Sequence, residues 1–177
     1  MTGARDFRVE EALRGGLAVV IRAVRPDDRA SIARAFANLE RETIYTRYFG
    51  HKSELTPREL GAIDTMDFVR DVMLVLTTTI EGSEIVIASA RYIAYADGQG
   101  ALAAEIAFTV EEDYQGRGIA SRLLHHLTTI ALGNGVGRFE ADVLPENKAM
   151  LAVFERSGLS LRRRVEGGVI HVDLALA

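Results

Sequence analysis

Two glycines and an arginine stand where a strand gives way to a helix, in Gln115-Gly116-Arg117-Gly118-Ile119-Ala120-Ser121 within DYQGRGIASRLL. A helix N-terminus presents backbone N–H groups that no earlier carbonyl accepts, together with the positive end of the macrodipole, and so draws phosphate. Gly116 and Gly118, lacking a Cβ, would let phosphate oxygens come close to the main chain. The same pair also suits a plain connecting loop, and the local pattern leaves both readings standing. Upstream, Glu105 interrupts Ala104-Glu105-Ile106-Ala107-Phe108. Strand alternation puts Glu105, Ala107 and Thr109 on one face and Ile106, Phe108 and Val110 on the other. An acid among small and apolar neighbours is expected to be desolvated, which raises its pKa toward the range of a general base. A cross-strand ion pair with Arg91 is the structural alternative.

Other chemistries are excluded by what is missing. The chain of 177 residues has no cysteine, which removes disulfides, thiolate ligands and thiol nucleophiles. His125 and His126 are adjacent and point apart on a helix, while His51 and His171 lack companions at ligand spacing, so no metal is expected. Nothing spells the GxxxxGK of a nucleoside-triphosphate loop. The dinucleotide pattern GxGxxG is nearer, with Gly116, Gly118 and then Ser121, and Glu140 at the distance of a ribose-binding acid. Against it, residues 111–115 intervene between strand and first glycine. The formal net charge of -4 gives no sign of a nucleic acid or anionic membrane as partner. The charged N-terminus and short apolar runs contain no secretory or membrane-spanning segment, which makes a cytoplasmic protein the expectation.

The elements that must hold these residues can be traced by period. FRVEEAL and LAVVIRAV read as a hairpin about Gly15-Gly16. Ile32, Ala35, Phe36 and Leu39 give a helix, and Thr56 with Pro57 and Glu59 gives a capped helix start. VMLVLTTTI, EIVIASARYIAY and AAEIAFTV form a meander. Ile119, Leu123, Leu124, Leu127, Ile130 and Ala131 make one apolar stripe, ended by Gly133-Asn134-Gly135 through left-handed geometry. FEADVLP is a buried strand, residues 147–157 a helix stopped by Gly158, and LRRRVEGGVIHVDLAL a closing hairpin whose Arg162-Arg163-Arg164 makes a solvated edge. This is one α/β domain over residues 1–177, with a mixed sheet.

Gln115-Gly116-Arg117-Gly118-Ile119-Ala120 resembles the Q/R-x-x-G-x-G/A pyrophosphate loop of the GNAT superfamily of acetyl-CoA-dependent N-acetyltransferases. AEIAFTV is similar to that family's fourth strand, and ENKAMLAVFERSGL to its later Asn-containing helix. The resemblance implies a central, mostly antiparallel mixed sheet, splayed between strands four and five and flanked by helices. It implies acetyl-CoA as cosubstrate, with Phe108 and Val110 offering backbone to the pantetheine arm. Residues Gln115, Gly116, Arg117, Gly118, Ile119, Ala120 and Ser121 would hold the pyrophosphate, with Asn147 near the thiol. Asn147 also suits a plain N-cap. By the same resemblance Glu105 is the general base.

The implied acceptor is a primary amine, a protein lysine or else a small-molecule amine. Tyr45-Thr46-Arg47-Tyr48-Phe49, within residues 41–55, resembles the aromatic and arginine cluster of the bacterial protein-lysine acetyltransferases. Those relatives commonly carry a regulatory domain for which 177 residues leave no room. Control through a partner or through acetyl-CoA supply, or constitutive activity, is therefore expected, with a homodimer as the form any self-association takes. Phe154 stands where the family often has the tyrosine that protonates the thiolate; Tyr92 and Tyr114 could substitute, although tyrosines at a strand or loop edge are more often half-buried packing. That departure keeps open a second reading, a non-catalytic acetyl-CoA-sensing module.

Overall fold

The computed structural model describes residues 3–37 and 57–177. Eight strands form one sheet: β1 (Arg8–Ala12), β2 (Ala18–Ala23), β3 (Asp71–Ile80), β4 (Ser83–Ala96), β5 (Leu102–Val110), β6 (Val136–Val143), β7 (Ser160–Glu166) and β8 (Val169–Ala175). Their order is β1-β2-β3-β4-β5-β6-β8-β7. Among the described residues four α-helices accompany them: α1 (Arg29–Ala37), α2 (Pro57–Gly61), α3 (Ile119–Gly133) and α4 (Lys148–Glu155). The sheet is the mixed, mostly antiparallel one expected, with a single parallel pair, β5 with β6, among the described strands. Thr56, Leu39, His51 and the segment 41–55 with its Tyr45–Phe49 cluster lie outside the described residues.

The strands bury both faces through their two-residue period. Val72, Leu74 and Leu76 of β3 face a core completed by Ala90, Tyr92, Ile106 and Phe139 and by the α3 stripe Ile119, Leu123, Leu124 and Leu127. Val75 and Val86 face a second core with Ile63, Met66 and Phe68, against which Ile32 of α1 packs. The helix stop after α3 differs from expectation in one respect. Asn134 keeps right-handed φ (-93°), and only Gly135 (φ 82°) supplies the left-handed residue. The Asn134 side chain is engaged elsewhere, donating from Nδ2 to the Tyr92 hydroxyl at 2.8 Å. Among the described residues no helix is long and apolar enough to cross a membrane.

One buried ion pair, unread in the sequence, fixes the entry to α1. Arg22 of β2 donates from Nη1 and Nη2 to Asp28 Oδ2 and Oδ1 at 2.8 and 2.7 Å, and from Nε to Glu84 of β4 at 3.2 Å. Both Arg22 and Asp28 are buried. Burial pushes the Asp28 carboxyl up, but hydrogen bonds from Arg22 and the Arg25 N–H outweigh it and hold it below the ordinary carboxylate range. A carboxyl depressed in the folded state contributes stability that is complete above the unfolded value of about pH 4 and is lost as pH falls through the folded value. Asp28→Asn leaves the buried Arg22 guanidinium with only the half-exposed Glu84 as its charge partner and is expected to cost about 3 kcal/mol at pH 7. Denaturant titration checks this; the gap to wild type narrows below about pH 4, and a loss under about 1 kcal/mol at neutral pH contradicts the assignment.

Candidate active site

β5 and β6 run together from Leu102/Val136 to Glu105/Glu140 and then part. β5 continues to Val110 and β6 to Val143 without a ladder between them. Parallel strands cannot be joined by a tight turn, so the chain leaves β5, crosses through α3 and returns into β6. That crossover sets the N-terminus of α3 beside the parted strands. The resulting cleft holds about 1240 Å³, walled by the end of β5, the loop before α3, the end of β6 and α4. Glu105, Phe108, Val110, Gln115, Gly116, Arg117, Gly118, Ile119, Ala120, Ser121 and Asn147 all line it.

Gly118 is the N-cap of α3, with φ 80° and no side-chain cap. The first helical bond runs from Arg122 N to Gly118 O at 3.1 Å, so the N–H groups of Ile119, Ala120 and Ser121 have no acceptor within the helix. Gly116 (φ 78°) and Gly118 both require positive φ, and a Cβ built on either would meet open space. A row of backbone donors at the positive end of a helix of 15 residues, bordered by unobstructed space, fits a diphosphate. The Gln115 side chain braces the loop, donating to the Val110 carbonyl at 3.1 Å. Arg117 lies over the Tyr114 ring, 5.4 Å from its centroid. Arg122 and His126 of α3 both reach Glu11 of β1, each at 2.6 Å.

Glu105 corrects one expectation. It is exposed, on the sheet face opposite α3, where its partners in register are Ile93 and Glu140. Ile93 beside it is exposed as well, and β6 and β8 carry Glu140, Asp142 and Asp173 on this face, so among the described residues no apolar layer covers the carboxylate. Nor does Arg91 pair with it: Arg91 holds Asp71 instead, Nε–Oδ1 at 2.8 Å and Nη2–Oδ2 at 2.6 Å. Glu140, the ribose acid of the dinucleotide reading, accepts from Arg138 Nε at 2.9 Å and from the Tyr95 hydroxyl.

Asn147 is the N-cap of α4, its Oδ1 accepting from Met150 N at 3.2 Å, and lines the cleft at the same time. Phe154 is buried with its ring edge-on to Phe108, centroids 6.2 Å apart. Tyr92 is displaced as a proton donor, because it lies in the core with its hydroxyl donating to Val69 O at 2.8 Å. Burial pushes the Tyr92 phenol up to about 12. Tyr114 remains on the cleft wall. Arg163 turns to Glu155 of α4 at 2.6 Å while Arg162 and Arg164 point to the other face of the edge strand. The pair His171–Asp142, joined Nδ1 to Oδ1 across β8 and β6, also lines the cleft. The strand register creates it, and no spacing in the sequence announces it.

A model of the acetyltransferase (GNAT) family matches residues 40–159. Acetyltransferase Pat of Mycolicibacterium smegmatis is 36% identical over 154 residues, 87% of this chain and 44% of that protein, so the chain spans less than half the length of this relative. The GNAT domain of S. lividans PAT superposes with a TM-score of 0.84 at 31% identity, covering 95% of this chain and 96% of that one. The fold is shared with yncA from Salmonella typhimurium, solved with its cofactor acetyl-CoA: TM-score 0.71, 18% identity, 90% of this chain and 94% of that one.

The placement of Tyr92 is open to test. Tyr92→Phe removes a hydroxyl that satisfies both Val69 O and Asn134 Nδ2, and is expected to lower stability by about 2 kcal/mol. Equilibrium unfolding gives the answer, and a variant as stable as wild type would contradict the buried, doubly bonded hydroxyl.

Proposed function

The chain belongs to the GNAT family of acetyltransferases, and on that footing we propose that it transfers an acetyl group from acetyl-CoA directly to a primary amine, a protein lysine in the first instance. The observation that carries this reading is the parting of β5 from β6 beneath the uncapped N-terminus of α3. Backbone donors of residues 116–121 take the pyrophosphate, and the edge of β5 at Phe108 and Val110, which has no strand ladder to β6, takes the pantetheine amides. Asn147 sits where the thiol end arrives. Acetyl-CoA supplies the thioester carbonyl that the amine attacks.

An ammonium has no lone pair, so a base is needed at the acceptor side of the cleft. Glu105 takes that role, removing a proton directly or through one water. Its exposure suits an acceptor presented from another protein's surface, because a lysine side chain can reach it without entering a closed pocket. The likeness of Tyr45–Phe49 to the protein-lysine acetyltransferases supports the same choice, and the 36% identity with acetyltransferase Pat supports acetyl transfer. Phe154 has no proton for the departing thiolate. Tyr114 is the phenol on the cleft wall, and a thiol pKa of about 8.5 makes the thiolate a tolerable leaving group unaided. The missing donor at Phe154 also favours a second reading, an acetyl-CoA sensor without turnover.

Acceptor-dependent release of CoA, measured against lysine peptides and small amines, separates transferase from sensor. Glu105→Gln is expected to lower kcat about a hundredfold with acetyl-CoA affinity unchanged; an unaltered kcat removes Glu105 from the role. Gly118→Val, forcing a β-branched residue to positive φ and crowding the phosphate site, is expected to weaken acetyl-CoA at least about tenfold by calorimetry. Unchanged affinity would mean that the loop does not face the cosubstrate.

A further inference from the structure

Resting on the acetyl-transfer reading, we propose that His171, held by Asp142, is a second proton acceptor of this site, serving the acceptor nitrogen alongside Glu105. An amine that arrives as an ammonium must lose two protons to become an amide nitrogen carrying one hydrogen. As the N–C bond forms and the C–S bond breaks, one proton ends on the CoA sulfur and the other leaves to water. Two transfers from one nitrogen call for two proton acceptors or for one that empties between steps.

The geometry supplies the second. His171 lies in register with Asp142 of β6 on one side and Arg164 of β7 on the other. Glu105 is in register with Glu140, two residues before Asp142 along β6, so all four side chains share one sheet face. The strand spacing puts the Cα atoms of Glu105 and His171 about 12 Å apart, two strands across and one two-residue step along. Both side chains line the cleft. His171 sits at the level where β5 and β6 have already parted, on the acceptor side of the sheet.

Its chemistry is set by its partners. The Nδ1–H donates to Asp142 Oδ1, which fixes the tautomer and leaves the Nε2 lone pair for a proton. Glu166 Oε2 is 3.9 Å from Nε2, beyond hydrogen-bond length, so that nitrogen is not engaged there. Among the described residues the charged groups around the ring are Asp142 and Glu140 of β6, Asp173 of its own strand, Arg162, Arg164 and Glu166 of β7, and Glu105 across the cleft. Arg138 engages Glu140 at 2.7 Å and approaches Asp173 at 3.9 Å. The His171 side chain is 32% exposed, enough to hand a proton on to water. Glu105 takes the first proton of the ammonium and releases it to solvent; His171 takes the proton lost after attack and returns it, through water, toward the sulfur.

The test is the pH dependence of amine-dependent CoA release by the full chain, with acetyl-CoA and a lysine peptide, in wild type, His171→Gln and Asp142→Asn. His171→Gln is expected to lower kcat at least about tenfold, to alter the pH profile of kcat, and to leave acetyl-CoA affinity unchanged. Asp142→Asn should give a smaller drop with the same altered profile. Should His171→Gln fail to fold, Asp142→Asn, exposed by 57% at its side chain, carries the test. A wild-type kcat and profile in both variants, or in Asp142→Asn alone where His171→Gln is unfolded, overturns the proposal while leaving acetyl transfer intact. A wild type that binds acetyl-CoA but acetylates no amine overturns the acetyl-transfer reading and this proposal with it.

Discussion

The structure depends on one topological constraint: β5 and β6 are parallel neighbours, and a parallel pair must be connected through a crossover. The crossover is α3, and its N-terminus must therefore lie past the carboxyl end of β5. There the two strands separate after Glu105 and Glu140. One feature of connectivity thus brings together unpaired strand backbone, unpaired helix N–H groups and the cleft between them. Ligands of open α/β sheets collect at the carboxyl ends of strands for the same reason.

The remaining elements keep α3 in place. At its C-terminal end Asn134 is tied to the Tyr92 hydroxyl, itself bonded to Val69 at the entrance to β3. Along its length Arg122 and His126 grip Glu11 of β1, with Phe7 against the His126 ring at 5.3 Å between centroids. Burial tends to raise Glu11, but these two partners hold it below the ordinary carboxylate range. On the opposite face of the sheet the Arg22–Asp28–Glu84 cluster sets α1 over β4. Among the described residues the half of that face formed by β5, β6 and β8 is polar, and it is there that Glu105 and His171 stand.

Much of this was legible in the sequence, and for identifiable reasons. QGRGIAS could be read because glycines before an apolar stripe mark a helix entrance, and the structure finds both at positive φ. AAEIAFTV could be read because its alternation is local. The desolvation of Glu105 was misjudged because alternation tells which residues share a face and not what covers that face. Of the two readings of Tyr92, proton donor or packing, its alternation with Arg91 and Ile93 favours packing, and the structure buries it. The pairs Arg22–Asp28–Glu84 and Asp142–His171 were invisible, since strand register and helix entry angle decide them over separations that no local period encodes.

The proposed place of the cosubstrate is between the parted strands and the α3 N-terminus. The measurement that tests it most directly is amide NMR of the labelled protein during titration with acetyl-CoA. The account predicts saturable shifts concentrated at the N–H groups of residues 106–110 and 116–121, with β1 and β7 unmoved. Shifts confined elsewhere, or none at millimolar acetyl-CoA, would contradict it.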